Sequence, residues 1–250
     1  DTSSGARNAL ALSNDEREII GYAESNFDNV VVLINAANAM ELSELEEDEN
    51  IDSILWIGFP GNYGMTGIAN ILSGNVNPSG GLADTFASDS TSSPAMANFG
   101  VFPFTNADEL STADDRGDFY LIEAEGIYTG YRYYETRYAD VVMGQGNAAS
   151  TAGTFDSTGN WNYAEEVVYP FGYGLSYTTF SFELKSAQVS LDDKKITAEV
   201  VVTNTGEVAG KTPVQLYGQA PYIQGGIEKS AVVLLDYSKT GILEPGASES

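Results

Sequence analysis

The stretch Val30-Val31-Val32-Leu33-Ile34, an unbroken run of apolar and mostly β-branched residues, decides the fold class. A strand that is buried on both faces of a parallel sheet has this continuous pattern, whereas a half-exposed strand alternates apolar and polar residues. A second run of the same kind, Ile54-Leu55-Trp56-Ile57, follows and indicates that Trp56 is a core residue. We therefore predict two buried strands of a mostly parallel sheet.

Helical patterns lie on both sides of these runs. Ser13 and Glu16 have the spacing of a capping box, and the apolar residues after them predict a helix over residues 14 to 26 with one packed face. A second helix is predicted over residues 65 to 72, ended by Gly74. Helices that alternate with strands are typical of a layered α/β sandwich.

Three further segments have weaker patterns. The acidic run over residues 41 to 52 lacks the residue order of a calcium-binding EF-hand and predicts a solvated helix face. The aromatic residues of 127 to 134 predict a strand, and the small polar residues of 144 to 163 predict a loop.

The pattern changes after Phe180, where apolar and polar residues begin to alternate. Residues 182 to 184, 196 to 202 and 214 to 216 predict antiparallel strands with one solvated face. About five strands fit before Ser250, whereas an immunoglobulin-like sandwich has about seven. We therefore expect one domain over residues 1–180 and an incomplete all-β sandwich over residues 181–250.

Composition excludes several classes of function. The chain has 11 Lys and Arg against 36 Asp and Glu, a net charge of −25, and neither His nor Cys. Nucleic acids and anionic membranes are excluded as partners, since both are bound by clustered cations. Disulfides, thiolate nucleophiles and imidazole chemistry are also excluded, and the lack of Cys suits either a reducing interior or a secreted bacterial protein. No run is long and apolar enough for a membrane helix, and carboxylates are the main groups left for proton transfer.

Five stretches in order resemble glycoside hydrolase family 3 of the β-glucosidase type. These stretches cover residues 30–42, 54–61, 74–80, 125–134 and 169–177. The segments at 201–206 and 210–217 are similar to the fibronectin type III-like domain of that family.

The resemblance implies one part of an enzyme. It covers the C-terminal α/β sandwich and part of the fibronectin-like domain, but not the (β/α) barrel that carries the nucleophilic Asp of the family. The whole protein is expected to hydrolyse terminal β-linked glucosyl or related residues of an oligosaccharide or β-glucoside, with retention and without a metal or organic cofactor. The chain alone is expected to be inactive, and the rival hypotheses are a carbohydrate-binding or interaction module and a purely structural domain.

The acid/base position of the family departs from its pattern. The family segment Pro-Gly-x-Glu-Gly is here Pro60-Gly61-Asn62-Tyr63-Gly64, so Tyr63 replaces the Glu. Three alternatives remain open. Another carboxylate, Glu125 or Glu123, acts as acid/base; Tyr63 contacts the substrate together with Asn62 or donates a proton; or the protein binds sugars without efficient hydrolysis. Glu125 has a structural alternative, since it can simply fix a turn.

Aromatic residues are the remaining candidates for sugar binding. Trp161 is the main one, because it lies in a polar segment and an indole ring stacks well on a sugar. The four tyrosines of the 127–134 segment stack on sugar or pack in the core. If that segment is a strand, at most half of its side chains can line one pocket.

Overall fold

The computed structural model describes residues 10–110, 119–141, 161–221, 223 and 225–250, and within these it contains both helices and sheets. The helices are α1 (Asn14–Asn26), α2 (Ser43–Glu46), α3 (Gly61–Leu72), α4 (Pro94–Ala97), α5 (Ala107–Leu110), α6 (Tyr131–Val141) and α7 (Tyr163–Glu166). The strands are β1 (Val31–Ile34), β2 (Ser53–Trp56), β3 (Phe86–Ala87), β4 (Phe102–Pro103), β5 (Phe119–Tyr120), β6 (Val167–Tyr169), β7 (Phe180–Ser190), β8 (Lys195–Asn204), β9 (Pro213–Gly218), β10 (Val233–Lys239) and β11 (Ser248–Glu249). None of the helices in this part of the chain has the length and apolar character needed to cross a membrane.

Contacts divide the chain into two compact units, each built from separate segments. The first unit contains Asp1–Phe59, Asp84–Phe171 and Gln219–Val233, and the second contains Pro60–Ala83, Gly172–Gly218 and Leu234–Ser250. The predicted domain boundary near residue 180 stays a prediction.

Two local predictions for the first unit are confirmed. β1 and β2 pair in parallel, with Val31 opposite Ser53 and Ile34 opposite Trp56. α1 begins with the predicted capping box, in which Ser13 Oγ accepts from the Glu16 amide and Glu16 Oε2 accepts from the Ser13 amide at 2.7 Å. This reciprocal pair satisfies two backbone donors that the first turn of a helix leaves free.

Burial of these elements is lower than predicted. No residue of α1 is buried, and Ile19 is 68% exposed. In the described β1–β2 pair, Val31 and Trp56 are 42% and 36% exposed, so the prediction of strands buried on both faces is wrong. Trp56 is also not the core residue we predicted: its indole Nε1 donates to the Ala36 carbonyl at 2.9 Å. Burial on both faces requires covering layers, and two paired strands cannot supply them.

The acidic segment is not a solvated helix face, because α2 has only four residues. Its carboxylates instead make specific contacts with other segments. Glu44 accepts two hydrogen bonds from Arg17 of α1, both at 2.8 Å, and Glu41 accepts from the Ser90 amide at 2.9 Å. Glu46 accepts a hydrogen bond from the Tyr169 hydroxyl. These acids therefore connect the segment to the rest of its unit.

The strand predicted over residues 127 to 134 is a helix instead. Gly126 and Gly130 have φ values of +52° and +55°, which turn the chain before α6 begins at Tyr131. Tyr133 and Tyr134 are each 5% exposed and form a core cluster with Ala87 and Val167. The β-propensity of aromatic residues is a weak preference that such packing overrides. Most of the predicted loop at 144–163 lies outside the described residues.

The second unit contains the long antiparallel strands that the sequence predicts. β7 pairs with β8 from Phe180 opposite Asn204 to Ser190 opposite Lys195, with an irregularity between Leu184 and Ser186. β11 pairs with β8 on its other side, and β9 pairs with β10. The predicted strand segments at 182–184, 196–202 and 214–216 lie within β7, β8 and β9.

Candidate functional site

The segment Pro60 to Gly64 forms the first turn of α3. Gly61 has a φ of +58°, a left-handed conformation that glycine adopts without strain. Gly64 lies against the ring of Pro60, and a Cβ atom at Gly64 would be 2.7 Å from the Pro60 Cβ. Pro60, Gly61 and Gly64 thus have a structural role, because they shape the start of this helix.

Tyr63 projects from this first turn and is 92% exposed. Asn62 is exposed beside it in the sequence. In α3, all of whose residues the structure describes, the first turn contains no acidic residue and no described side chain caps the N-terminus. The segment therefore presents a phenol and an amide to solvent in place of a carboxylic acid.

Glu125 lies in the turn that precedes α6. Its carbonyl accepts from the Tyr128 amide at 2.8 Å, and Gly126 supplies the positive φ that this turn requires. The residue is half-buried. The backbone of Glu125 thus fixes a turn, which is the structural alternative given in the sequence analysis. The carboxyl group of Glu125 remains a candidate acid/base.

Trp161 is 5% exposed and packs within the first unit. The Arg137 guanidinium carbon lies 5.7 Å from the centre of the indole ring, and the Tyr163 ring contacts it edge-on at 5.9 Å. The indole Nε1 is buried and has no hydrogen-bond partner among the described residues. The ring packs on protein in this arrangement, and its proposed contact with sugar stays a prediction.

Three tyrosines around α6 have raised pKa values. Burial raises the pKa of Tyr134 to about 12 and also raises the pKa of Tyr133. Burial raises the pKa of Tyr163 as well, and its hydroxyl donates to Glu135 Oε1 at 2.6 Å. These hydroxyls stay protonated at neutral pH, and Tyr133 and Tyr134 are core residues.

The predicted site residues belong to different units. Asn62 and Tyr63 are neighbours on α3 in the second unit, whereas Glu125 and Trp161 belong to the first. In the part of the chain that the structure describes, no group of three or more acidic, His or Cys residues is arranged to hold a metal ion.

Sequence reasoning missed two side chains that support α3. The Tyr177 hydroxyl donates to the Ile71 carbonyl at 2.8 Å, in the last turn of the helix. Asn77 Oδ1 accepts from the Tyr177 amide at 2.8 Å. Both residues lie in stretches that carry the family resemblance, but only the fold brings them together.

Comparison with known proteins identifies the family. The model of the glycosyl hydrolase family 3 C-terminal domain matches residues 2–177. The chain belongs to glycosyl hydrolase family 3. β-Glucosidase A of Butyrivibrio fibrisolvens is 35% identical to this chain and matches 95% of the chain. A β-glucosidase of Ruminococcus albus is 32% identical and matches 96% of the chain.

Solved structures of β-glucosidases contain a similar fold. The enzyme of Paenibacillus barengoltzii matches 95% of the chain with a TM-score of 0.72 at 32% identity. β-Glucosidase 3B of Thermotoga neapolitana, in complex with α-D-glucose, matches 96% with a TM-score of 0.68 at 30% identity. The chain spans 22% and 28% of these two structures, and 25% and 20% of the two sequence relatives.

Proposed function

We propose that this family 3 chain is a fragment of a longer retaining β-glycosidase that removes terminal β-linked glucosyl or related residues. Its similarity to proteins named β-glucosidases supports the activity, and its share of their length, about a quarter, supports a longer protein. An oligosaccharide or β-glucoside is the proposed substrate. The one observation that carries the proposal is the match of residues 2–177 to the C-terminal domain of glycosyl hydrolase family 3.

The proposed partner of this chain is a (β/α) barrel of the same protein. Retaining hydrolysis needs two carboxyl groups about 5 to 5.5 Å apart, one a nucleophile and the other an acid/base. The family resemblance assigns the nucleophile to the barrel, so we expect the chain alone to be inactive.

The proposed domains are an α/β sandwich with a mostly parallel sheet over residues 1–180 and a partial fibronectin type III-like domain over residues 181–250. The parallel pair β1–β2 supports the first, and the antiparallel pair β7–β8 supports the second. An α/β sandwich commonly builds its site where parallel strands end, which is the place of the loop between β2 and α3.

Glu125 is the acid/base in this proposal, with Asn62 and Tyr63 as substrate contacts and Trp161 as a sugar-stacking residue. Glu125 is half-buried and opens one of the stretches that resemble the family. A phenol with a pKa near 10 is a weaker acid for this step than a carboxyl group. Once the acid has donated its proton in the first step of retaining hydrolysis, the resulting carboxylate can activate water in the second step.

The test of Glu125 uses substrates with different leaving groups. In the full-length protein, Glu125→Gln is expected to lower kcat for 4-nitrophenyl β-glucoside about 10²- to 10⁴-fold. The leaving group of 2,4-dinitrophenyl β-glucoside departs without a proton, and azide attacks the glycosyl-enzyme without a base. We therefore expect this substrate, with azide present, to restore turnover in Glu125→Gln. Glu109→Gln, at an exposed position, is the matched control, and a loss of activity in Glu123→Gln but not in Glu125→Gln assigns the role to Glu123 instead. Equal activity of Glu125→Gln and wild type on 4-nitrophenyl β-glucoside removes Glu125 from this role.

A second candidate function is carbohydrate binding without hydrolysis. The observation that favours it is the 92% exposed phenol of Tyr63 where the family pattern has an acid. Under this hypothesis the wild-type protein binds a β-glucoside but does not turn it over, and Tyr63→Glu creates activity. Under the hydrolase proposal, wild type turns over and Tyr63→Phe changes KM more than kcat.

A further inference from the structure

The last turn of α3 is held by a hydroxyl from a distant part of the chain. Ile71 is in that turn, and its carbonyl accepts from the Gly74 amide at 2.9 Å and from the Tyr177 hydroxyl at 2.8 Å. Carbonyls at a helix C-terminus have no partner within the helix, so such contacts decide where the helix end lies. Tyr177 lies three residues before the start of β7, so this contact ties α3 to the segment that leads into the long antiparallel strands.

Asn77 fixes the position of Tyr177 with its side chain. Asn77 Oδ1 accepts from Ser176 Oγ and from the Tyr177 amide, both at 2.8 Å. Its Nδ2 donates to the Ala209 carbonyl at 3.1 Å. Gly210 leaves room for this amide, because a Cβ atom there would lie 2.6 Å from Asn77 Nδ2. Asn77 therefore joins three segments of the second unit at one point.

Among the described residues, the opposite end of α3 has no comparable side-chain support. Its N-terminus has no side-chain cap, Tyr63 is 92% exposed, and the one buried residue of the helix is Ile68 in the next turns. A helix of 12 residues is about 18 Å long. A tilt of only about 3° at the C-terminal end therefore moves the first turn by about 1 Å, an error that reduces catalysis by up to about 10²-fold.

We infer that Asn77 and Tyr177 are positioning residues that set the direction of α3 and thereby the location of Asn62 and Tyr63 at the substrate. This inference rests on the proposed function for the role of Asn62 and Tyr63. It gives the segment that leads into β7 a task in the reaction, because Tyr177 in this segment holds the far end of the helix whose first turn contacts sugar.

Tyr177→Phe in the full-length protein removes only the hydroxyl that contacts Ile71. Tyr237→Phe is the matched control, since Tyr237 is on β10 in the same unit and is 73% exposed. Hydrogen exchange of the peptide covering residues 61–74 is expected to be about 2- to 10-fold faster in Tyr177→Phe, the effect of one hydrogen bond. Exchange in β7 and β8 stays unchanged, which separates this effect from general destabilisation.

Turnover of 4-nitrophenyl β-glucoside provides the second readout. We expect kcat/KM to fall about 3- to 30-fold in Tyr177→Phe and to keep the wild-type value in Tyr237→Phe. Asn77→Asp keeps the acceptor for Tyr177 and is expected to retain more kcat/KM than Asn77→Ala.

The two readouts separate the inference from the proposed function. Unchanged exchange in residues 61–74 of Tyr177→Phe overturns the inference, and so does faster exchange with wild-type kcat/KM. If the wild-type protein neither binds nor hydrolyses the glucoside, the proposed function fails and the positioning role fails with it. In that case, faster hydrogen exchange of residues 61–74 in Tyr177→Phe would still show that the Tyr177 hydroxyl stabilises α3.

Discussion

Asn204 shows how much one polar side chain determines in the second unit. It is completely buried at the end of β8, and all of its polar atoms have partners. Its Oδ1 accepts from Thr178 Oγ1 at 2.7 Å and from the Gly206 amide at 3.1 Å. Its Nδ2 donates to the carbonyls of Val208 and Leu243 at 2.9 and 2.8 Å. A buried network of this kind stabilises only while every member is satisfied.

Asn204→Ala is therefore expected to lower the free energy of unfolding by about 3 kcal/mol, because it removes the hydrogen bonds of a buried network and the acceptor of the buried Thr178 hydroxyl. The exposed Asn75 is the control, and Asn75→Ala is expected to change stability by less than about 0.5 kcal/mol. Urea unfolding of the chain measures both. Equal midpoints for the two variants would contradict the role of Asn204.

At the scale of elements, the start of α1 was fully predictable from sequence because a capping box involves only neighbouring residues. The hydrogen bond that Glu16 accepts from the Ser13 backbone, and a second from the Ser13 hydroxyl, hold its pKa below the usual value. A depressed pKa stabilises the folded helix start above the ordinary Glu pKa of about 4.3, and this stabilisation is lost as pH falls through the lower folded value.

We expect the Ser13 amide resonance to titrate with an apparent pKa below about 4.3. Glu16→Gln should abolish this titration, and Glu18→Gln on the same helix should leave it intact. NMR spectra between about pH 2.5 and 6 measure it. An apparent pKa at or above the ordinary value would contradict the capping interaction.

The helix α6 was not predictable, because its aromatic residues have the composition of a strand. The left-handed Gly126 and Gly130 precede this helix, and the burial of Tyr133 and Tyr134 depends on Ala87 and Val167, which are far away in sequence. The same burial raises the pKa of Tyr134 to about 12, above the value near 10 of an unfolded tyrosine.

A raised folded pKa stabilises the protein below the unfolded pKa, and this stability is lost as pH rises through the folded pKa. We therefore expect the unfolding free energy to fall between about pH 10 and about 12. Tyr134→Phe should make that fall shallower, whereas Tyr22→Phe, at a 68% exposed position, should not. Urea unfolding at a series of alkaline pH values provides the measurement, and identical slopes for all three proteins would contradict the burial of the Tyr134 hydroxyl.

At the scale of the whole molecule, the chain has 36 acidic and 11 basic residues, so its acidic side chains repel one another. Contacts with basic side chains offset only part of this repulsion. Glu44 with Arg17 is one such contact. Raising ionic strength from about 0.01 to 0.15 M shortens the range of this repulsion from about 30 to 8 Å.

We expect this increase in salt to raise Tm by about 2–4 °C, the equivalent of about 1 kcal/mol. Choline chloride should act as strongly as NaCl, because the effect is screening rather than binding of a particular cation. Calorimetric scans in the two salts test this, and a Tm that falls or stays constant would contradict it.

The general pattern is that sequence predicted what depends on nearby residues and missed what depends on distant ones. The capping box, the parallel runs of β1 and β2 and the alternation of β7 and β8 are local patterns, and their elements were confirmed. The exposure of Trp56 and the contacts of Asn77 and Tyr177 depend on which segments meet in space. For the candidate site, sequence identified Tyr63 as a departure from the family, but its exposure on the first turn of α3 required the fold.

The most direct test of the central claim follows the hydrolysis of 4-nitrophenyl β-glucoside by NMR with the full-length protein. A retaining β-glycosidase releases the β-anomer of glucose from this substrate first, and the α-anomer then grows in by mutarotation. We predict this order in the wild-type protein and at least about 10²-fold slower release in Glu125→Gln. Release of the α-anomer first, or binding of the glucoside without any release of glucose, would contradict the account.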